Sequence, residues 1–192
     1  PFFYRRPFMG YLAKPLVSFL KKWDLRVAKA PKMILANSEF IKEKIANFYG
    51  LKSQVLHPPV DMKVFYPDRT IKSRDYFLAL GRFLHYKKFD LIIKTFNELD
   101  FPLRIVGSGP EKNRLLKLVK NPQIQLTEFR GSDEEIRKLY SGARALIFPQ
   151  VEDFGLVALE SIACGTPVIA YRGGGVREIV TEEKSGIFFN HQ

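Results

Sequence analysis

The stretch from Ala145 to Gly175, ALIFPQVEDFGLVALESIACGTPVIAYRGGG, leaves the chain few ways to fold. Two short apolar runs, Ala145 to Phe148 and Pro167 to Tyr171, are closed by Pro149 and by Arg172 with three glycines. Short apolar runs separated by a helical segment predict buried parallel strands. Between them, Leu156, Val157, Ala158, Leu159, Ile162, Ala163 and Cys164 predict a helix that is apolar nearly all round, and such a helix is usually buried. Glu160 stands at its centre, and Glu152 lies in the polar loop ahead of it. A carboxylate on an apolar helix is costly unless something pairs with it. That cost points to a ligand.

The same alternation extends upstream. Strands are predicted at Tyr76–Leu80, Leu103–Val106 and Ile124–Leu126, and helices at Phe89–Leu99, Glu111–Val119 and from Ser132 to Tyr140. Ser132 caps the last of these, with Glu135 three residues on as its capping-box partner. A helix or turn from Val176 and a strand at Gly186–Phe189 close the pattern. The fold class is α/β, a Rossmann-like doubly wound parallel sheet. Ligands of such sheets bind at the carboxyl ends of the strands. The loops that fall there are 81–88, 107–111, 129–131, 150–155 and 172–175.

Further upstream, a strand at Met33–Ala36 leads to a helix at Glu39–Tyr49, capped by Asn37 or Ser38 and ended by Gly50. Gln54–Leu56 is a short strand, followed by the stiff turn His57-Pro58-Pro59. The domain reading is residues 1–57, a linker at 58–75, and residues 76–192. Near the start, Leu16, Phe19, Leu20 and Trp23 recur at helical spacing among Lys14, Lys21, Lys22, Arg26 and Lys29. This predicts a basic amphipathic helix whose apolar face packs on its own domain.

Net charge is +11 at pH 7, which favours anionic partners. Cys164 is the one cysteine, so no internal disulfide can form. His57, His85 and His191 are isolated, so no metal-binding spacing exists. Gly107-Ser108-Gly109 begins a dinucleotide fingerprint, but its third glycine would fall at Lys112. No apolar run approaches the roughly 20 residues of a membrane span. The expected location is cytoplasmic, with peripheral contact to the inner face of the cell membrane left open. The first residue is Pro1 rather than methionine, so a fragment is expected.

The loop at Gly81 carries Arg82 and Lys87, two cations that can neutralise a diphosphate at one strand-end mouth. The predicted helix beginning near Gly155 leaves the amides of Phe154, Gly155 and Leu156 as free donors, and helix N-termini attract phosphate. Carboxylates such as Glu152 and Glu160 accept hydrogen bonds from paired hydroxyls, as on sugars.

Gly81-Arg82 with Lys87, the turn Val106-Gly107-Ser108-Gly109-Pro110, the run from Glu152 to Glu160 and the segment Ala163 to Ala170 together resemble glycosyltransferase family 4. The segment from Gln150 and the loop after Tyr171 most resemble mannosyltransferases that use GDP-mannose. The resemblance covers about residues 31–190. It implies the GT-B architecture, with a C-terminal donor domain at 76–192 and, at 1–57, a remnant of the N-terminal acceptor-side domain. It implies transfer of a hexose from a nucleotide sugar to a glycan or lipid-linked acceptor, with retention of configuration and without a metal or other cofactor. Glu152, Arg82 and Lys87 would form the catalytic set. Gly81, Gly107, Phe129, Arg130, Phe154, Gly155, Leu156 and Glu160 would join them in binding the donor, with Phe129 and Arg130 near the base and Glu160 on the ribose. The resemblance also implies an incomplete enzyme that binds its donor better than it turns it over. The competing reading of the charge is a nucleic-acid-binding or membrane-surface module. Nucleic acid is not expected as a partner, because Glu160 has no role there.

Overall fold

The computed structural model describes residues 7–129 and 131–192, with side chains from Lys14 onward. Six parallel strands form the main sheet in the order β5-β4-β3-β6-β7-β8. They are β3 (Tyr76–Leu80), β4 (Leu103–Gly107), β5 (Ile124–Glu128), β6 (Ala143–Phe148), β7 (Val168–Tyr171) and β8 (Gly186–Phe189). A smaller parallel pair, β1 (Leu35–Ala36) and β2 (Gln54–Val55), flanks α2 (Glu39–Tyr49). The α/β class and parallel sheet expected from the sequence are therefore present.

Helices α3 (Phe89–Glu98), α4 (Lys112–Leu116), α5 (Asp133–Ser141) and α6 (Leu156–Ala163) connect the strands. Two apolar clusters form the core. One joins Leu78, Leu146, Phe148, Tyr140 and Val168; the other joins Ala79, Phe83, Ile93, Leu103 and Ile105. Alternation along β3 divides them, since Leu78 and Ala79 belong to different clusters. Ser132 caps α5, and its capping box with Glu135 is complete. Ser38 caps α2 by accepting from the Ile41 N–H at 3.0 Å.

Three expectations are corrected. Helix α4 stops at Leu116 rather than Val119. The Asn97 side chain takes the groups that would extend it, donating to the Leu118 carbonyl at 2.8 Å and accepting from the Lys120 N–H at 2.9 Å. Helix α6 is not buried all round: only Ala158 and Ser161 are buried, and Leu156 is 45% exposed. Its first turn opens onto a cavity instead of the core. From Lys14 onward, the apolar face of the basic helix α1 (Pro7–Val27) is not packed on the domain. Leu16, Phe19, Leu20 and Trp23 are exposed, and the Tyr49 hydroxyl holds the helix by donating to Asp24 Oδ2 at 2.9 Å.

Residues 58–75 hold no helix or strand and are mostly exposed, yet they are pinned at a few points. Phe65 enters the core. Asp68 Oδ2 accepts from the nearly buried Arg137 of α5 at 3.1 Å, and that guanidinium lies over the Tyr66 ring. This strap runs across α5 towards β3.

The carboxyl ends of β3 and β4 meet at two glycines, Gly81 with a positive φ of 145° and Gly107 packed against the Gly81 backbone. A Cβ on Gly107 would stand 1.8 Å from the Gly81 carbonyl oxygen. The approach is fixed by the Gly81 N–H to the Val106 carbonyl at 3.0 Å and the Phe83 N–H to the Ser108 carbonyl at 2.7 Å. Gly107→Ala must push these two strand ends apart. Urea denaturation of that variant is expected to show a loss of about 1–3 kcal/mol or more; an unchanged midpoint would show that the loops adjust freely.

Candidate functional site

The site lies where the winding of the sheet reverses. Strands β3 and β6 are neighbours, but the chain leaves β3 for β4 and leaves β6 for β7. The loops after them therefore diverge and open a crevice at the carboxyl edge, where such sheets bind ligands. The β3 loop ends in a 3-10 turn, His85–Lys87. The β6 loop runs from Pro149 to Gly155, which begins α6.

Lys87 and Glu152 bridge the crevice. The Lys87 ammonium donates to Glu152 Oε1, and Gln150 Nε2 donates to the same oxygen at 3.2 Å. The Lys87 and Glu152 side chains are 12% and 17% exposed, and Gln150 is buried. Burial pushes the Lys87 ammonium below its ordinary value. A cavity of about 430 Å³ surrounds the pair and is lined in part by Asn37, Pro58, Tyr86, Phe154, Gly155 and Leu156. The N–H groups of Phe154, Gly155 and Leu156 donate no hydrogen bond among the described residues. The first turn of α6 thus offers free donors at its positive end, beside a cation and a carboxylate.

Gly81, Arg82, Gly107 and Phe129 gather in a second pocket of about 240 Å³. Arg82 is exposed, and its guanidinium has no partner among the described residues. Arg82 and Lys87, expected at one mouth, thus line two pockets from a single loop. Arg130 lies outside the described residues.

Glu160 lines neither pocket. Its Oε2 accepts from the buried Tyr140 hydroxyl at 2.9 Å. The cost that singled this carboxylate out is met by Tyr140, so the cost alone does not demand a ligand. Its other oxygen accepts nothing among the described residues. Burial, with a smaller contribution from Asp133, pushes the Glu160 carboxyl up against the opposing Tyr140 hydrogen bond. Burial, with Glu160 adding to it, pushes the nearby Cys164 thiol up to about 11, which marks that cysteine as an inert core residue.

The glycine-rich loop after β7 supports the Glu152 loop. The Gly175 N–H donates to the Glu152 carbonyl at 2.9 Å, and a Cβ on Gly175 would stand 2.3 Å from the Asp153 carbonyl oxygen. From the other side, the buried Ser38 hydroxyl donates to the Asp153 carbonyl at 2.5 Å. Sequence reasoning missed Gln150, Tyr140 and the approach of Asn37 and Ser38. The polar Gln150 directly after a strand and a proline was the available signal for the first. Tyr140 gave none, because its partner lies on another helix.

Among the described residues, no group of three or more His, Cys, Asp and Glu side chains could hold a metal ion, and no helix is long and apolar enough to cross a membrane.

This doubly wound sheet, with a charged crevice at its switch point and a free helix N-terminus on the crevice wall, matches about half of a GT-B structure. The family model of glycosyl transferases group 1 matches residues 67–192, and the chain belongs to that family. It is 30% identical over 176 residues to N-acetyl-alpha-D-glucosaminyl L-malate synthase of Bacillus anthracis, covering 87% of this chain and 46% of that protein. It is 28% identical over 189 residues to a GDP-mannose-dependent alpha-(1-6)-phosphatidylinositol monomannoside mannosyltransferase of Mycolicibacterium smegmatis, covering 84% and 50%. Among solved structures, the Anabaena protein HepE in complex with UDP and glucose superposes with a TM-score of 0.76 at 18% identity, over 86% of this chain and 52% of that one. The chain spans about half the length of the curated relatives it matches. The family read from the sequence is confirmed.

The raised Glu160 carboxyl makes a stability prediction. Between the ordinary value of about 4.3 and the higher folded value, the unfolded chain releases a proton that the folded chain keeps. Stability therefore falls as pH rises through that window. Glu160→Gln keeps an acceptor for Tyr140 and removes the charge. Denaturant melts should find it more stable than wild type at pH 7, with the two converging below about pH 4. A glutamine variant less stable than wild type at pH 7 would refute this account.

Proposed function

We propose that this chain is the donor-binding part of a retaining hexosyltransferase that uses a nucleotide sugar. The observation that carries the reading is the Lys87–Glu152 pair at the switch point, set beside the free amides of α6. A desolvated pair of opposite charges suits a ligand that carries anionic phosphate next to a hydroxyl-rich sugar. Phosphate oxygens take the Lys87 ammonium, and hydroxyls donate to Glu152. Arg82, which has no competing partner, adds a second cation. As the bond to the leaving diphosphate breaks, negative charge grows there. Arg82, Lys87 and the N-terminus of α6 stabilise that charge. In this reading the protein needs no metal or other cofactor.

Gly81, Gly107, Phe129 and Arg130 then serve the nucleotide, and Glu160 offers its unoccupied oxygen to the ribose hydroxyls. The fine assignment is mannose from GDP-mannose, passed to a glycan or lipid-linked acceptor in polysaccharide biosynthesis in the cytoplasm. The mycobacterial relative supports that choice, whereas the Bacillus anthracis relative is named for a different sugar and acceptor. Domain limits of 1–57, 58–75 and 76–192 belong to the same proposal.

Titration calorimetry with GDP, UDP and ADP tests it. GDP is expected to bind best. Arg82→Ala and Lys87→Ala should each weaken it about 10- to 100-fold, the worth of one charge-assisted hydrogen bond. Binding of none of the three, or variants that bind like wild type, would refute the donor-site reading; preference for UDP or ADP would refute only the choice of GDP.

The exposed stripe Leu16, Phe19, Leu20 and Trp23 of α1, flanked by Lys14, Lys21, Lys22 and Arg26, favours a second, compatible role at an anionic membrane face. The chain should sediment with phosphatidylserine-containing vesicles, and Trp23→Ser with Phe19→Ser should release it. Equal sedimentation with neutral vesicles would argue against the charge term.

A further inference from the structure

We propose that Glu178 is a positioning residue, fastening the 35–57 segment to the Glu152 loop and thereby setting one wall of the donor cavity. Its consequence for binding rests on the donor-site reading above.

Glu178 ends the 3-10 turn Gly175–Glu178, which follows β7 in the main sheet. Its Oε2 accepts from the Glu39 N–H at 2.8 Å and its Oε1 from the Phe40 N–H at 3.1 Å. These are the first two amides of α2, on the smaller sheet. They belong to the orphan donors that every helix leaves at its N-terminus. Ser38 already caps this helix in the ordinary way. Glu178 is an additional carboxylate, brought from the other sheet to the positive end of the helix.

Helix α2 has no fully buried residue, so apolar packing does little to fix its place. Polar contacts at its N-terminus do so instead. Glu178 Oε2 also lies 3.0 Å from His57 Nε2, and the His57 ring stacks on Phe154 at 5.5 Å between centroids. One carboxylate thus grips both the start of α2 and the residue that follows β2 and Leu56. The Glu178 side chain is 20% exposed. Burial works to raise its pKa, but the two N–H groups and His57 outweigh it and hold the carboxyl below its ordinary value.

The grip reaches the site through covalent neighbours. Asn37 precedes Ser38, Pro58 follows His57, and both line the cavity with Lys87 and Glu152. Phe154, under His57, lines it too. Releasing Glu178 frees the wall formed by Asn37 and Pro58 while leaving Lys87 and Glu152 in place. Glu178 itself does not line the cavity.

The test uses the full chain with hydrogen exchange and GDP titration on wild type, Glu178→Ala and Glu178→Gln. Without nucleotide, the Glu39 and Phe40 amides should exchange faster in Glu178→Ala, while Leu146 in the core stays protected. GDP should bind about tenfold more weakly to that variant, within the usual range of coupling between sites. Glu178→Gln keeps an acceptor oxygen and should fall between. By reciprocity, GDP should slow exchange at Glu39 and Phe40 in wild type. Unchanged exchange at those amides would overturn the grip. Faster exchange with unchanged GDP affinity would overturn the positioning role and leave a structural contact. If wild type binds no nucleotide, the donor-site reading fails by itself, and exchange at Asn37, Glu39 and Phe40 alone decides whether Glu178 holds the wall.

Discussion

The close approach of β3 and β4 at Gly81 and Gly107 is the constraint on which the site depends. Because Gly107 carries no side chain, the Gly81 carbonyl can press against its α-carbon. Phe83 then bonds back to Ser108, and its ring enters the core. With Phe83 anchored, the rest of the loop turns through His85–Lys87 and brings Lys87 across the crevice to Glu152. A bulkier residue at Gly107 would displace the anchor and the cation with it.

The two ends of the bridge are held differently. Lys87 follows from a backbone turn on one strand. Glu152 is held in a loop clasped from both sides, by Gly175 through its N–H and by Ser38 through its hydroxyl. Such clasping matters because a desolvated charge pair is favourable only when its geometry is tight. Gln150 contributes as well, since its buried amide donates to the same carboxylate oxygen as Lys87. The carboxylate is thus oriented before any ligand arrives, and little side-chain entropy remains to be lost on binding.

The order of elements was legible in the sequence because each is stated locally. The capping box at Ser132 and Glu135, the glycine after Tyr49 and the short apolar runs each mark an element boundary without reference to the rest of the chain. Glu152 and Lys87 were legible for a similar reason, as charged residues at strand ends where the topology puts ligands. What was not legible is what distant residues do to one another. Glu160 looked unpaired because Tyr140 approaches it from a different helix. The hold on the 58–75 segment was not visible either, because the partner of Asp68 is Arg137, on α5. The apolar stripe of α1 looked like a core face, yet periodicity shows only that a helix has two faces and not what covers either one.

Glu160 also shows why a costly residue is weak evidence by itself. The Tyr140 hydroxyl meets part of the cost, so a purely structural account of the pair is complete for one carboxylate oxygen. The other oxygen is the one that matters. Burial still holds the group above its ordinary pKa, so the hydrogen bond from Tyr140 does not fully replace lost water. A tyrosine with a leucine or methionine in place of Glu160 would remove the charge but leave a buried hydroxyl without an acceptor. A glutamine would satisfy Tyr140 without the electrostatic cost. On the donor-site reading, the glutamate keeps a free oxygen that is offered to the ribose hydroxyls, a role that the Tyr140 contact leaves open.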